Sequence, residues 1–507
     1  MSKKTVYDRI VDWFDVKFGF AKTPLKPIPD FTLNPIYWLG ALLAVTFALQ
    51  AMTGMFMLLY YVPTPAEAYS STMFIINSVP LGQLVETMHL YTAYAMILLT
   101  FLHLVRNFFG SAHKGNRDLM WLAGFVLAGV VVSFGVTGYL LPWTVISKSA
   151  TDVAIGFVSF LPTGFADLAK FFLVGTGSDS AMLNNFLHVH TVMLPLALIA
   201  FLGLKIYMYE VHGPAYVSAY GKPKVTGGKY YRWFPKVFLF GVMLVSAYVA
   251  ILLAAASFAP LSLPPAFSPA TAGNYVVQPD WYLLWVYQIL KIEAFEGPNG
   301  VYAIVAVAVV LALLFLLPFY DRSRRRDLGQ RPLFATAGAI LVVELVALTV
   351  WGYLTPGQTI PSYQAVLVLG GSALATAAVV WIAYKVRRGR MKTAVAAPLH
   401  QSPPLGPEPP KSQPSAPVKN ARLNKKGLAK SLRMVGQSLF TRFTAVFVVL
   451  LAVSSVTLSW LVNMLPNLTT SMPAFVGVAA AFGVSMYFMC AMLRRFVLAY
   501  EAEAHGR

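Results

Sequence analysis

The chain has 507 residues, of which 57% are hydrophobic and only 12% are charged. Soluble domains carry about 25% charged residues, so this composition excludes an ordinary soluble protein and indicates a membrane protein. The single cysteine, Cys490, also excludes a disulfide framework.

The predicted elements begin with residues 5–20, where Ile10, Phe14 and Phe18 recur at helical spacing among charged residues. This pattern fits either a helix lying in the membrane interface or an ordinary soluble helix. The N-terminus lacks a short apolar core with a small-residue cleavage site, so a cleaved signal peptide is not expected. Ten stretches then reach the roughly 20 apolar residues that a spanning helix needs. They are 36–61, 83–109, 119–141, 184–209, 234–258, 300–319, 334–354, 364–386, 443–464 and 474–497.

Basic residues predict the orientation of these spans. With the N-terminus inside, the 39 Lys and Arg residues fall on the inner side, except Lys148, Lys170 and Lys291 outside and Lys205 within a span. This asymmetry follows the positive-inside rule, which places both termini on the cytoplasmic side of a multi-pass protein. The net charge of +19 therefore needs no nucleic-acid partner.

The predicted fold class is all-α: a polytopic membrane helix bundle with an eight-span core and two extra C-terminal spans. Two outer segments, 143–183 and 259–299, are too long for simple connections and indicate a function or structure of their own. Composition predicts five parts. They are an inner-side segment with the interfacial helix (1–34), a four-span bundle (35–232), a second four-span region (233–390), a Pro/Ser/Lys-rich linker (391–430) and a two-span extension (431–507).

Two histidines on the second span are the first candidate ligands. His89 and His103 are fourteen residues apart, so they lie near one helix face and about 21 Å apart along its axis. Histidines within membrane spans are functional candidates, although a lone one is often simply hydrogen-bonded to a neighbouring helix. This spacing suits two stacked hemes, each needing a second ligand from another helix. On the fourth span His188 and His190 point about 200° apart, so at most one faces such a site.

Several motifs, in order and on the expected membrane sides, resemble those of cytochrome b, the quinol-oxidising diheme subunit of cytochrome bc complexes. The similarity covers roughly residues 1–355 and weakens to about 387. The motifs are QAMTG (Gln50–Gly54), HLVR (His103–Arg106), GYLLPW (Gly138–Trp143), SAT (Ser149–Thr151), HTVMLP (His190–Pro195) and PDWY (Pro279–Tyr282).

The resemblance implies two b-type hemes. His89 and His190 would ligate the outer heme and His103 the inner heme, and Gly54 and Arg106 would contribute to heme binding. The first span has no cysteine, so the additional covalent heme of the two-chain photosynthetic form of the family is not expected.

The resemblance places the last ligand fourteen or fifteen positions after His190, at Leu204 or Lys205. Leucine cannot ligate iron. The two-chain photosynthetic form uses the spacing of fifteen, and its glycine eight residues further on matches Gly213. Lys205 is therefore the candidate, acting as a neutral amine with the kink at Pro195 correcting its direction. The alternatives are a lysine that extends to the inner headgroups and one that pairs with a heme propionate.

Three residues depart from the family pattern. Glu86 and Asn185 stand where arginines commonly hold heme propionates. Asp280 stands where the family usually has glutamate, a variant associated with menaquinone-type quinones. Asp280 would accept a proton from quinol, and Tyr282 would bind the quinol or pass the proton on. Taken alone, PDWY would equally fit an ordinary helix start.

The resemblance also implies the partners. One electron would leave to a Rieske iron–sulfur protein, and then to a cytochrome c or other external acceptor, because this chain lacks cluster ligands. The other would cross to a quinone at the inner face. Weak candidates for that quinone site are Glu210, His212 and Lys224, which also fit a solvated helix end. A homodimer in a prokaryotic plasma membrane is expected.

Two other functions fit part of the pattern. A proton-coupled transporter would explain ionisable residues within spans but not the spacing of the histidines or the PDWY motif. A diheme membrane anchor of a quinone-linked dehydrogenase would explain the hemes but not the PDWY motif.

Overall fold

The computed structural model describes residues 28–396, apart from 159–162, 174–177, 214, 216–229, 232, 324 and 327–329. The predicted interfacial helix at 5–20, the spans at 443–464 and 474–497, and the extension at 431–507 lie outside these residues. The described residues fall within a single compact unit.

The described part of the chain is predominantly helical. Its first half contains α1 (Leu39–Met57), α2 (Ala68–Ser78), α3 (Gly82–Phe109), α4 (Asp118–Leu140), α5 (Val145–Val158), α6 (Thr163–Leu173), α7 (Asp179–His188) and α8 (Leu194–His212). Its second half contains α9 (Phe238–Phe258), α10 (Pro269–Gly273), α11 (Leu284–Leu290), α12 (Gly300–Phe315), α13 (Leu317–Tyr320), α14 (Pro332–Leu354) and α15 (Ser362–Ala396). A two-residue antiparallel ladder joins β1 (Ile28–Pro29) to β2 (Tyr230–Tyr231).

Eight of these helical segments are long and apolar enough to cross a membrane, which confirms the all-α membrane bundle predicted from the sequence. They are α1, α3, α4, α7 with α8, α9, α12, α14 and α15. The helix α15 continues to Ala396 and so includes the first six residues of the predicted linker. Below, "outer" and "inner" follow the orientation predicted from charge.

The fourth span has well-defined ends. Its first helix, α7, begins at Ser178, whose hydroxyl accepts a hydrogen bond from the backbone N–H of Ala181 at 3.2 Å, with Asp179 in the first turn. Its last helix, α8, ends at Gly213, which has a φ of +69°. A side chain is disfavoured at that φ, so glycine provides the stop.

A single π-helical turn, Val189–Met193, joins α7 to α8. Leu194 donates its backbone N–H to the carbonyl of Val189, five residues earlier. The next residue, Pro195, has no N–H to continue the ladder, and its ring crowds the preceding turn. The fourth span is therefore continuous, but one of its turns is wider than in an α-helix.

The two long outer segments contact each other. Val145 donates its N–H to the carbonyl of Pro265 at 2.9 Å, and Phe267 donates to the carbonyl of Trp143 at 3.3 Å. Trp143 is buried and has a φ of +51°, which is unusual for a bulky residue. Its surroundings hold this conformation, so the end of α4 and the segment before PDWY are fixed together.

A buried ionic cluster joins two inner loops. Asp321 accepts hydrogen bonds from Lys114 at 2.8 Å and from His113 Nε2 at 2.9 Å, and it also pairs with Arg331. Burial lowers the pKa of His113 to about 4, so the ring is neutral near pH 7 and donates through Nε2–H. The cluster holds the α3–α4 loop against the α13–α14 loop.

Candidate functional site

Two histidines face each other across the outer half of the first four spans. His89 on α3 and His190 in the π-turn have ring centroids 6.3 Å apart, with the planes inclined at 60°. A metal–imidazole bond is about 2 Å long, so this separation fits one metal atom coordinated by both rings. The sequence predicted this pair, and the structure brings the two residues together.

A threonine orients each ring. Thr53 Oγ1 lies 2.8 Å from His89 Nδ1, and Thr137 Oγ1 lies 2.9 Å from His190 Nδ1. Each hydroxyl already donates its proton to a backbone carbonyl four residues earlier, that of Leu49 or Ser133. Each threonine oxygen must therefore accept from Nδ1–H, which leaves both Nε2 lone pairs free for a metal.

Glycines provide clearance beside these rings. A Cβ atom placed on Gly54 would lie 3.2 Å from Cε1 of His89, and one placed on Gly138 would lie 2.7 Å from Cε1 of His190. Any side chain at Gly138 would displace the histidine. The two glycines lie on α1 and α4, on opposite sides of the histidine pair.

The same arrangement recurs at the inner level. A Cβ on Gly40 would lie 3.6 Å from Cε1 of His103, and one on Gly124 would lie 2.5 Å from Nζ of Lys205. Gly40 and Gly54 are fourteen residues apart, as are Gly124 and Gly138 and the histidines His89 and His103. Two levels, about 21 Å apart along the helices, therefore share the same spacing of glycines and candidate ligands.

The π-turn explains why Lys205 reaches this position. Fifteen α-helical residues rotate about 60° beyond four whole turns, which would place Lys205 off the face that carries His190. A π-turn holds one residue more than an α-turn, so the wider turn at Val189–Met193 takes up that excess. The sequence predicted a kink at Pro195; the structure has a π-turn immediately before it.

His188 is directed away from the pair, as the helical spacing predicted. It is exposed, and its Nδ1 lies 2.8 Å from the carbonyl oxygen of Asn184 on its own helix.

The PDWY segment lies beside the outer level. Asp280 occupies the position before the 3₁₀ turn Trp281–Leu283, yet its carboxylate makes no capping bond there. Instead, Oδ1 accepts a hydrogen bond from the hydroxyl of Tyr94 on α3 at 3.2 Å. Burial raises the pKa of the Asp280 carboxyl, and the bond from Tyr94 partly offsets this. An ordinary helix start would use this carboxylate as a cap.

Tyr282 packs into the bundle core with Met96, Ile97, Val131 and Leu198. A Cβ on Gly135 of α4 would lie 3.2 Å from its hydroxyl oxygen. Burial raises the pKa of Tyr282, and the nearby Asp280 carboxylate raises it further. The hydroxyl of Tyr139 is buried near the same carboxylate and makes no hydrogen bond to any described residue.

The other predicted residues are more dispersed. The Arg106 guanidinium lies 4.4 Å from the ring centre of Tyr37 and donates to Asn107 at 2.7 Å. Glu210 and His212 are exposed at the inner end of α8, where the carbonyl of His212 accepts from Arg117 at 2.7 Å. Lys224, the third inner candidate, lies outside the described residues.

Sequence reasoning missed Gly40, Gly124, Thr137, Tyr94 and Tyr139 as members of the site. The glycines and the threonine could have been found, because Gly40–Gly54 and Gly124–Gly138 repeat the fourteen-residue spacing of the histidines and Thr137 directly precedes Gly138. Tyr94 gives no such signal, since its partner is 186 positions away.

The eight apolar spans and the facing pair His89–His190 inside the bundle fit a membrane protein with a metal-containing cofactor. A family model described as cytochrome b/b6/petB matches residues 26–213, and one described as cytochrome b (C-terminal)/b6/petD matches residues 270–388. The chain belongs to the cytochrome b family, whose members are the heme-binding subunits of cytochrome bc complexes.

Individual relatives also support membership of the cytochrome b family. Cytochrome b of Sulfolobus acidocaldarius is 32% identical, over 71% of this chain and 69% of its own length. The cytochrome b subunit of a cytochrome bc complex from Chlorobaculum thiosulfatiphilum is 29% identical, over 68% of this chain and 81% of its own length. A solved structure titled hyperthermophilic respiratory Complex III is similar with a TM-score of 0.60 and 25% identity, covering 74% of this chain and 96% of that one.

Proposed function

We propose that this chain oxidises a quinol near the outer membrane face and divides its two electrons between an external acceptor and the inner side of the membrane. The observation that carries the proposal is the position of Asp280. A hydrogen bond from Tyr94 holds this half-buried carboxylate against α3, the helix that also carries His89 and His103. A proton acceptor thus lies beside one of two stacked ligand levels.

The chain's own residues handle the protons. The Asp280 carboxylate accepts one from the quinol hydroxyl, and its raised pKa brings its proton affinity closer to that of the quinol than an exposed aspartate would. No described residue forms a hydrogen bond with the Tyr282 hydroxyl, so this group is available to bind quinol or to pass the proton on. Tyr139 places a second hydroxyl at this site.

Residues at each level would hold a non-covalent b-type heme. Nε2 of His89 and of His190 would ligate the outer iron, with Gly54 and Gly138 giving the flat group clearance. His103 would ligate the inner iron, and Arg106 would assist heme binding at that end of α3. When bound, the hemes supply one-electron redox chemistry that carries one electron of each pair from the outer to the inner side.

The remaining parts of the proposal rest on the family. A Rieske iron–sulfur protein would take the other electron and pass it to a cytochrome c or another external acceptor. The substrate would be of menaquinone type, and quinone would be reduced near Glu210, His212 and Lys224. The complex would be a homodimer in a prokaryotic plasma membrane, with both termini on the cytoplasmic side.

The test uses the intact complex and the Asp280→Asn variant. We expect turnover with quinol and the Rieske partner to fall by about 10²–10⁴-fold, the range that general acid–base groups contribute, while the heme spectrum stays unchanged. Asp167→Asn, which removes an exposed outer carboxylate, is the matched control and should turn over normally.

Two outcomes would favour other functions. A purified protein without heme absorption would support a transporter. Heme without quinol-dependent reduction of the Rieske partner would support a membrane anchor of a dehydrogenase. Unchanged turnover of Asp280→Asn at every pH would remove Asp280 from the site.

A further inference from the structure

The fourth ligand position differs in chemistry from the other three. Gly54, Gly138 and Gly40 each face the Cε1 edge of a histidine ring, whereas the equivalent glycine, Gly124, faces the amine of Lys205. Glycine at all four positions leaves room beside each candidate ligand, since a hypothetical Cβ would lie between 2.5 Å (Gly124) and 3.6 Å (Gly40) from the ligand's nearest atom. Space for a flat group is therefore present at the inner level as well. The candidate ligands there are the imidazole of His103 and the amine of Lys205.

The amine of Lys205 faces His103. The two side chains share the inner level, because the glycines that they meet, Gly40 and Gly124, each stand fourteen residues before a glycine of the outer level. Nζ forms no hydrogen bond or ion pair with any residue that the structure describes, although Lys205 is half-buried. His103 also has an unpaired nitrogen, because its Nδ1 is buried without a hydrogen-bond partner among the described residues. Neither Nζ of Lys205 nor Nδ1 of His103 is therefore used in a hydrogen bond or ion pair with another described residue.

The direction of the side chain argues against a lysine that extends to the inner headgroups. Side chains on a helix tilt toward its N-terminus, and α8 runs from the outer to the inner side. Lys205 therefore tilts into the membrane. Gly124, which its Nζ meets, lies six residues inside the start of α4, or about 9 Å from that inner end. If Lys205 extended to the inner headgroups, its Nζ would instead lie beyond the inner end of α4.

We propose that the neutral Nζ of Lys205, together with Nε2 of His103, would ligate the iron of a heme at the inner level. The inference rests on the proposed function, since it requires a heme at the inner level. Coordination uses the nitrogen lone pair, so the ammonium proton must be released to the inner aqueous side when the bond forms. The inner level would then supply one imidazole and one amine to its iron, and the outer level would supply two imidazoles.

The test is spectroscopic and uses the full-length protein in its complex. Two variants, Lys205→Ala and Lys205→His, are compared with Lys170→Ala, which removes an exposed outer lysine. Low-spin ferric EPR signals and the near-infrared charge-transfer band report the axial ligands of each heme. Carbon monoxide binding to the reduced protein reports an open coordination position.

We expect Lys205→Ala to convert one of the two low-spin signals to high-spin and to make that heme bind carbon monoxide. Lys205→His should restore a low-spin signal whose near-infrared band matches the outer heme. Lys170→Ala should change neither. If Lys205→Ala loses the inner heme entirely, Lys205→His still decides the question, because a changed band for one heme supports ligation and an unchanged one overturns it.

The failure of this inference is distinguishable from failure of the proposed function. Unaltered spectra in both Lys205 variants, with two hemes present and quinol oxidation intact, would overturn amine ligation alone. The absence of heme from the unmodified protein would overturn both.

Discussion

At the residue scale, the outer site depends on a hydrogen bond between side chains that are far apart in the sequence. Aspartate is one methylene shorter than the glutamate common in the family, so its carboxylate lies closer to its own backbone. The hydroxyl of Tyr94 reaches it from α3 at 3.2 Å. Because this bond favours the charged form, it limits the rise in the pKa of Asp280 that burial causes.

Replacing Tyr94 with phenylalanine should therefore change the pH dependence of turnover. Without the hydrogen bond the pKa of Asp280 rises further, so the carboxylate is protonated, and unable to accept a proton, up to a higher pH. We expect the acidic limb of the rate profile to move to higher pH. The lost bond contributes about 0.5–1.5 kcal/mol, so turnover at neutral pH should fall about two- to tenfold.

The measurement is the initial rate of quinol oxidation between acid and alkaline pH, with heme content measured in parallel. Tyr91→Phe is the control, since its hydroxyl lies on the same helix but donates to the carbonyl of Ala259 at 2.9 Å. A profile for Tyr94→Phe that is scaled down without moving along the pH axis would show that Tyr94 acts only through packing.

At the element scale, the glycines of α4 leave room for the candidate ligands at both the outer and the inner level. The helix carries Gly124, Gly129, Gly135 and Gly138, of which Gly124 and Gly138 face ligand candidates and Gly135 faces Ile97 and Tyr282. Gly129 has no neighbouring atom within 4 Å of its hypothetical Cβ. Glycine lowers helix stability relative to alanine, so its presence at the three contact positions reflects the space required there.

The variant Gly138→Ala should lose the outer heme. The added methyl group would lie 2.7 Å from Cε1 of His190, so the ring must move away from His89. We expect heme content to fall by one heme per chain, measured by the pyridine hemochrome assay on purified protein. Gly129→Ala adds the same methyl group to the same helix and should keep full heme content. Retention of both hemes by Gly138→Ala would contradict the outer ligand assignment.

The sequence allowed the eight described spans to be predicted because apolar length alone determines them. It did not predict the π-turn at Val189–Met193, since a period of 3.6 residues was assumed throughout the span. The facing pairs His89–His190 and His103–Lys205 followed from spacing together with family resemblance. The contact between Tyr94 and Asp280 depends on how a loop folds back over the bundle, which residue patterns do not encode.

At the scale of the whole molecule, two regions that separate family models match are joined in one chain. In this protein the two regions are joined by packing at both membrane surfaces. Trp143 contacts the segment before PDWY on the outer side, and the buried Asp321 binds His113, Lys114 and Arg331 on the inner side.

Truncation tests the predicted boundary of this functional unit. Deleting residues 431–507 should leave both hemes and most of the quinol oxidation, because both ligand levels, Asp280 and Tyr282 lie within residues 28–396. Heme spectra and turnover of the truncated protein, compared with the full chain in the same membranes, provide the measurement. A truncated chain that inserts stably but lacks heme would show that the extension belongs to the core.

The π-turn in the fourth span also bears on how the family could change length without losing its cofactor levels. An inserted residue would normally rotate everything beyond it by about 100° and move a ligand off its face. Here one extra residue is confined to the turn at Val189–Met193, next to a proline that already interrupts the backbone ladder. The spacings of fourteen and fifteen residues are thus two lengths of one architecture, related by a single insertion or deletion. A lineage can pass between them in one mutational step, and the residue that arrives at the inner position need not be the one that it replaced.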